Sequence, residues 1–316
     1  MTTSVLRNFF LCILFCSCAS SSRNSRQPEV NNNFDNGMYE QPSLLPESNP
    51  QSLMDLPQSE DGGFVLKPGF YEAEFKTYCL QPGTPDPREG DAYLQGPVTG
   101  YRKEIVESVL LNSKGKQDIE QKNIQLLLWS VVSGSSFNKL PYQAQADARR
   151  LLTPKQVFEL KGGVMGAIKN FSHSTGILSA NKDMQRLFDA GVGSYETFER
   201  LAVRREQSQV LKRGVKYDQW YRQEGNYYVR YFPESYKKVR IQVYVPENLL
   251  DTEGKLDGEY LVFDPTGQQA IPAFTNAQRL GIGAPVIEIV RAIIRVNKKP
   301  GTPAKSPVKK NPKAGV

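Results

Sequence analysis

A cysteine, a glutamine and a tryptophan carry most of the chemistry open to this 316-residue chain. Of four cysteines, Cys12, Cys16 and Cys18 fall in the first eighteen residues, which leaves Cys79 alone in the body. A lone thiol can close no disulfide within that body and supports no cysteine zinc site, so it is either a nucleophile or an inert small hydrophobe. The one histidine, His173, lies in Asn170-Phe171-Ser172-His173-Ser174 without a second histidine at ligand spacing. A cysteine hydrolase pairing Cys79 with His173 would have to be assembled in space, and a lone loop histidine is more often a surface residue. The chain has no Gly-x-Ser-x-Gly elbow and no phosphate-cradling glycine loop, and no metal or cofactor is expected. Gln125 stands out for its setting, sharing a helical face with Leu128, Trp129 and Val132 in a run apolar around most of its circumference. A buried carboxamide left without a partner costs about 1–3 kcal/mol, so something must meet it. Gln121, one turn earlier, is a weaker candidate near the capped start of the helix.

The elements that would carry these residues follow from periodicity. Phe70 to Leu80 alternates, with Tyr71, Ala73, Phe75, Thr77 and Cys79 on one face and Glu72, Glu74 and Lys76 on the other, which predicts a strand with the thiol toward the core. The Pro/Gly-rich stretch from Gln81 to Gly100 reads as loop. Ile105, Val106, Val109 and Leu110 mark one helix; Asp118-x-x-Gln121 has the form of a cap for a second over Ile119 to Val132, closed by Gly134. Thr153-Pro154-Lys155-Gln156 is a capping box for a helix that breaks at Gly162-Gly163, and further helices are predicted over 182–190 and 195–212. Strands return at Tyr227 to Phe232, Val239 to Val245 and Glu259 to Phe263, and Val286, Ile289, Val290, Ile293 and Ile294 predict a last amphipathic helix. The expected fold is α+β, a helical block inserted between N-terminal and C-terminal strands that share one sheet or sandwich.

The net charge of +7 is a property of the ends. Residues 297–316 hold six lysines and no acid; without these and Arg7 the rest is formally neutral. A nucleic-acid reader is therefore not expected. No apolar run is long enough to span a membrane. Arg7, the apolar stretch Phe9 to Cys16 and the small residues after it read as an export signal over 1–18. Leu14-Phe15-Cys16-Ser17-Cys18 resembles a bacterial lipoprotein signal, which implies lipid on Cys18 and attachment to the membrane. Residues 19–63, rich in Ser, Asn, Gln and Pro, read as a disordered tether, 64–296 as a single module, and 297–316 as a Lys/Pro tail suited to an anionic envelope polymer. The implied location is the cell envelope, with an outer-membrane, surface or periplasmic face.

Tyr78-Cys79-Leu80-Gln81-Pro82-Gly83, followed by Gln125-x-x-x-Trp129, resembles the bacterial surface thioester domains, whose motifs read Tyr-Cys-x-x-Pro-Gly and Thr-Gln-x-Ala-Ile-Trp. The resemblance implies that Cys79 and Gln125 condense to an internal thioester, supported by Trp129 and Tyr78, and that this bond acylates a protein or glycan on a target surface. Ile124 and Leu127 replace the motif's Thr and Ala. The alternative is a non-covalent or structural envelope lipoprotein in which Cys79 is an inert buried hydrophobe and Gln125 bonds to backbone of the Pro/Gly-rich loop. Two other features have plainer readings: Tyr217, Trp220, Tyr221, Tyr227, Tyr228 and Tyr231 suit either a ligand groove or cross-strand packing, and Arg204, Arg205, Lys212 and Arg213 suit a solvated helix face.

Overall fold

A computed structural model describes residues 42, 45–46, 49–100, 102–163, 175–205, 214–274 and 276–296. The leader with Cys18, most of residues 19–48, His173 and the lysine tail lie outside these. In chain order the elements are β1 (Gln51–Ser52), β2 (Gln58–Ser59), β3 (Phe64–Val65), β4 (Gly69–Cys79), β5 (Thr84–Pro85), β6 (Tyr93–Pro97), then α1 (Lys103–Asn112), α2 (Gln121–Ser133), α3 (Tyr142–Leu151), α4 (Pro154–Phe158), α5 (Thr175–Asp189) and α6 (Tyr195–Ala202). After them come β7 (Val203–Arg204), β8 (Tyr221–Arg222), β9 (Tyr228–Ser235), β10 (Lys238–Val245), β11 (Lys255–Leu256), β12 (Glu259–Tyr260), β13 (Val262–Phe263), β14 (Gln268–Pro272), β15 (Leu280–Pro285) and β16 (Ile293–Ile294). The chain is a mixed α+β protein.

The main sheet runs β6-β14-β15-β4-β10-β9-β8, antiparallel throughout, with β1 added in parallel to β4. Its twist brings one end toward the other, where the Tyr231 hydroxyl on β9 donates to Gln95 Oε1 on β6. The long alternating strand β4 lies in the middle because both of its edges find partners. β10 covers one edge from Gly69 to Lys76 and β15 the other from Phe75 to Cys79. The two partners are offset, so the end of β4 has β15 on one side and, among the described residues, no strand on the other.

Several elements sit where periodicity placed them. Helix α1 buries Ile105, Val106, Val109 and Leu110. Gly134 ends α2 in the left-handed conformation (φ 78°), one that glycine adopts without strain. The Thr153/Gln156 capping box forms reciprocally.

Others do not, for reasons of tertiary pairing. Asp118 does not cap α2, whose N-cap is Glu120; its carboxylate instead pairs with Arg150 at 2.6 and 3.0 Å. Helix α5 begins at Thr175, earlier than the predicted 182. Helix α6 stops at Ala202 rather than 212, because Val203 and Arg204 pair in parallel with Thr84 and Pro85. The loop expected over 81–100 contains β5 and β6, and β14 and β15 arise from sequences such as Leu280-Gly281-Ile282-Gly283 that show no polar alternation. The last helix does not form: Val286 N–H donates to Glu74 O at 2.8 Å and Ile293–Ile294 pair with Gln58–Ser59. β-Branched residues directly after Pro285 take the extended form once a strand edge is on offer. The tether also ends sooner than residue 63, since Leu53, Met54 and Leu56 are buried in the main core and β1 lies on β4.

Candidate functional site

Helix α2 fills the place of the missing strand beside the end of β4. Leu80 N–H bonds to Arg279 O across β15, and alternation of the ladder turns the N–H and C=O of Cys79 to the opposite edge. There the Gln125 carboxamide meets both. Cys79 N–H donates to Gln125 Oε1 at 2.8 Å, and Gln125 Nε2 donates to Cys79 O at 3.0 Å. One turn earlier Gln121 Nε2 donates to Thr77 O at 3.0 Å and to Lys237 O at 2.7 Å, where β10 peels away. Two glutamines at i and i+4 thus continue the hydrogen bonding of the lost strand. Gln121 takes part, although its position near the helix start marked it as the lesser candidate.

Cys79, Gln125 and Trp129 are all buried, as are Ile124 and Leu127 beside them. Burial pushes the thiol up to about 12; the indole N–H of Trp129 and the backbone N–H of Gln81 oppose it, while the charge of Asp86 adds to it. Among the described residues Trp129 Nε1 makes no full hydrogen bond, so its interaction with the sulfur is a weak electrostatic one. Tyr78, next to Cys79 on the strand, points to the opposite face. Its ring lies against Gly283, where an added Cβ would come within 2.7 Å of Tyr78 Cε2, and its hydroxyl has no partner among the described residues. Tyr78 therefore packs on β15 from the other face of β4, and burial together with the nearby Tyr195 raises its phenol.

A polar network covers the indole on its outer side, and periodicity alone did not single it out. Tyr195 stacks on Trp129 at 5.5 Å and Tyr236 tilts against it at 6.5 Å. Their hydroxyls bond at 2.7 Å, the Tyr236 hydroxyl also donates to Glu199, and Lys237 Nζ lies 2.8 Å from Glu199. Tyr236 N–H donates to Asp86 at 2.8 Å. Burial raises the phenol of Tyr236, and its bond to Glu199 raises it further; Glu199 itself, against its partial burial, is held low by Lys237 and Tyr236. The signal in the sequence was Tyr195 and Glu199 four apart on one helical face.

Most of the aromatic residues that could have formed a groove pack instead. Trp220 is buried edge-on to Phe70 under the Arg230 guanidinium, and Tyr221, Tyr227, Tyr228 and Tyr231 are buried too, leaving Tyr217 exposed. Among the described residues no three His, Cys, Asp or Glu side chains are grouped to hold a metal ion. Comparison of the chain with protein-family models, curated proteins and solved structures finds no match.

What the arrangement can do is bring a carboxamide to the residue bearing the only described thiol, away from water. In a chain lacking the first three cysteines, Cys79 is expected to resist a thiol reagent at neutral pH in the folded state. Labelling with an aromatic disulfide before and after denaturation measures this, and rapid labelling of folded protein would contradict the burial. Denaturation without recovery of one thiol per chain would show that the sulfur is already bonded.

Proposed function

We propose that this chain is an exported, lipid-anchored protein of the cell envelope whose α+β module forms an internal thioester between Cys79 and Gln125 and attaches covalently to a surface partner. In this reading the helices are an insertion between N-terminal and C-terminal strands of one sheet, a layout compatible with the thioester domains, and Cys18 carries the lipid. The observation that carries the proposal is the docking of the Gln125 carboxamide on the backbone of Cys79 in a buried setting.

The chemistry balances without an oxidant. The sulfur adds to Cδ of Gln125, the C–N bond breaks, and the thiol proton leaves with the nitrogen as ammonia. The Cys79 N–H on Oε1 is suited to stabilise negative charge developing on that oxygen. The product is an activated acyl group, and exclusion of water by Trp129 and the neighbouring leucines would protect it until a nucleophile enters. An amine attacking the same carbon forms an amide and returns the proton to sulfur.

A second reading, a structural or non-covalent envelope lipoprotein, draws on the same hydrogen bonds, since a carboxamide with both polar ends satisfied needs no further chemistry. Intact mass separates the two. Fresh, non-denatured protein is expected to be lighter than its sequence by one ammonia, to gain one methylamine on incubation with that amine, and to show the full mass in Cys79→Ala and Gln125→Ala. Full mass in the unmodified chain favours the structural reading.

A further inference from the structure

The cover over Trp129 comes from two elements that are anchored differently. Tyr236 and Lys237 form the two-residue tip of the β9–β10 hairpin, and the backbone of this tip is pinned. Thr77 N–H and Gln121 Nε2 donate to Lys237 O at 2.9 and 2.7 Å, and Tyr236 N–H donates to Asp86 at 2.8 Å. Tyr195 and Glu199 come from α6, which has a looser start. Tyr195 is the first residue of that helix, and Ser194 before it makes no cap; its hydroxyl donates to Glu196 at 2.8 Å instead. The loop leading in carries Gly191 and Gly193, at each of which an added Cβ would meet nothing within 4 Å among the described residues beyond its chain neighbours. An uncapped first turn with open space around its approach frays more readily than a helix interior.

A directed chain of hydrogen bonds joins the two sides. The Tyr236 hydroxyl gives its one proton to Glu199, so the 2.7 Å bond between the phenols runs from Tyr195 to Tyr236. The chain ends on the 2.8 Å pair of Glu199 with Lys237, whose side chains are 30% and 49% exposed. From solvent inward the order is ion pair, phenols, indole and sulfur. The indole N–H that faces the sulfur is buried and unpaired among the described residues, so the innermost layer holds a donor in reserve beside the thiol. The outermost layer is a part-exposed ion pair, which water replaces at small cost, and it can open without disturbing the core.

We infer that Tyr195 is a gate over Cys79 and Gln125. It swings off Trp129 when the chain from Tyr195 through Tyr236 to Glu199 breaks, with the start of α6 as the moving side and the hairpin tip as the fixed one. The gate sets the rate at which a small solute reaches the sulfur and the carboxamide carbon. As control of nucleophile entry to a thioester the inference rests on the reading above; as control of access to Cys79 it applies equally to a free thiol.

The test uses the full chain with Cys12→Ser, Cys16→Ser and Cys18→Ser. Intact mass first assigns the state of the site, and entry is then timed by uptake of methylamine where one ammonia is missing, or by labelling with methyl methanethiosulfonate where the full mass is found. Full mass counts against the thioester and leaves the gate to be judged by labelling. Glu199→Gln keeps the shape but gives up the charge that ends the chain, and it is expected to speed entry about tenfold. Lys237→Met should speed it less, and Tyr195→Ala at least as much as Glu199→Gln. In each variant the rate should stay independent of urea below the unfolding transition, as local opening requires. Entry as slow in Glu199→Gln and Tyr195→Ala as in the parent chain overturns the gate. So does a rate that climbs steeply with urea from the lowest concentrations, which would mean that solutes arrive by global unfolding.

Discussion

Replacing Gln125 by alanine is expected to destabilise the fold by about 2–6 kcal/mol, measured by equilibrium unfolding in urea. The carboxamide pairs with both the N–H and the C=O of Cys79, and each buried backbone group left without a partner costs about 1–3 kcal/mol. Gln125→Met, which keeps most of the volume, should retain most of the penalty and so distinguish lost hydrogen bonding from an empty cavity. Gln121→Ala, on a half-buried side chain whose acceptors lie nearer solvent, should cost distinctly less. A loss below about 1 kcal/mol in Gln125→Ala would mean that the end of β4 can pair otherwise or take up water. These values are best measured in the Cys79→Ala background, where no covalent bond can contribute.

Trp129→Ala is expected to cost about 3–5 kcal/mol, the range for deleting a large buried aromatic whose surroundings cannot close up. The indole is fully buried and bears on Tyr195 and Tyr236, so its removal should also loosen the hydroxyl chain to Glu199 and Lys237. Near-UV circular dichroism should then change more than the far-UV signal. Trp129→Phe preserves an aromatic face for Tyr195 but removes the N–H facing sulfur, and a smaller loss of stability is expected. If alanine and phenylalanine prove equally mild, the indole is not the packing centre of this site.

The buried face of β4, the inward thiol, the apolar girth of α2 and the stop at Gly134 could all be read locally, because period-two and helical spacings are properties of a few adjacent residues. The same reasoning overextended α6 and made a helix of 286–295. Val203 and Ile293 take extended form through pairing with Thr84 and Gln58, residues more than a hundred positions away. Strands β14 and β15 were hidden for a related reason, being covered on both faces and thus lacking a polar alternation. At the site, residue types alone marked Cys79, Gln125 and Trp129, but not the part played by Tyr195, Tyr236, Glu199 and Lys237.

Local order in the chain therefore determined that a thiol would end a strand facing the core and that a glutamine would be buried in a greasy helix. Only the tertiary structure decided that the two would meet. The offset between β10 and β15 leaves the backbone of Cys79 without a strand on one side, and buried N–H and C=O groups must be paired, so the carboxamide that α2 brings alongside is drawn to them.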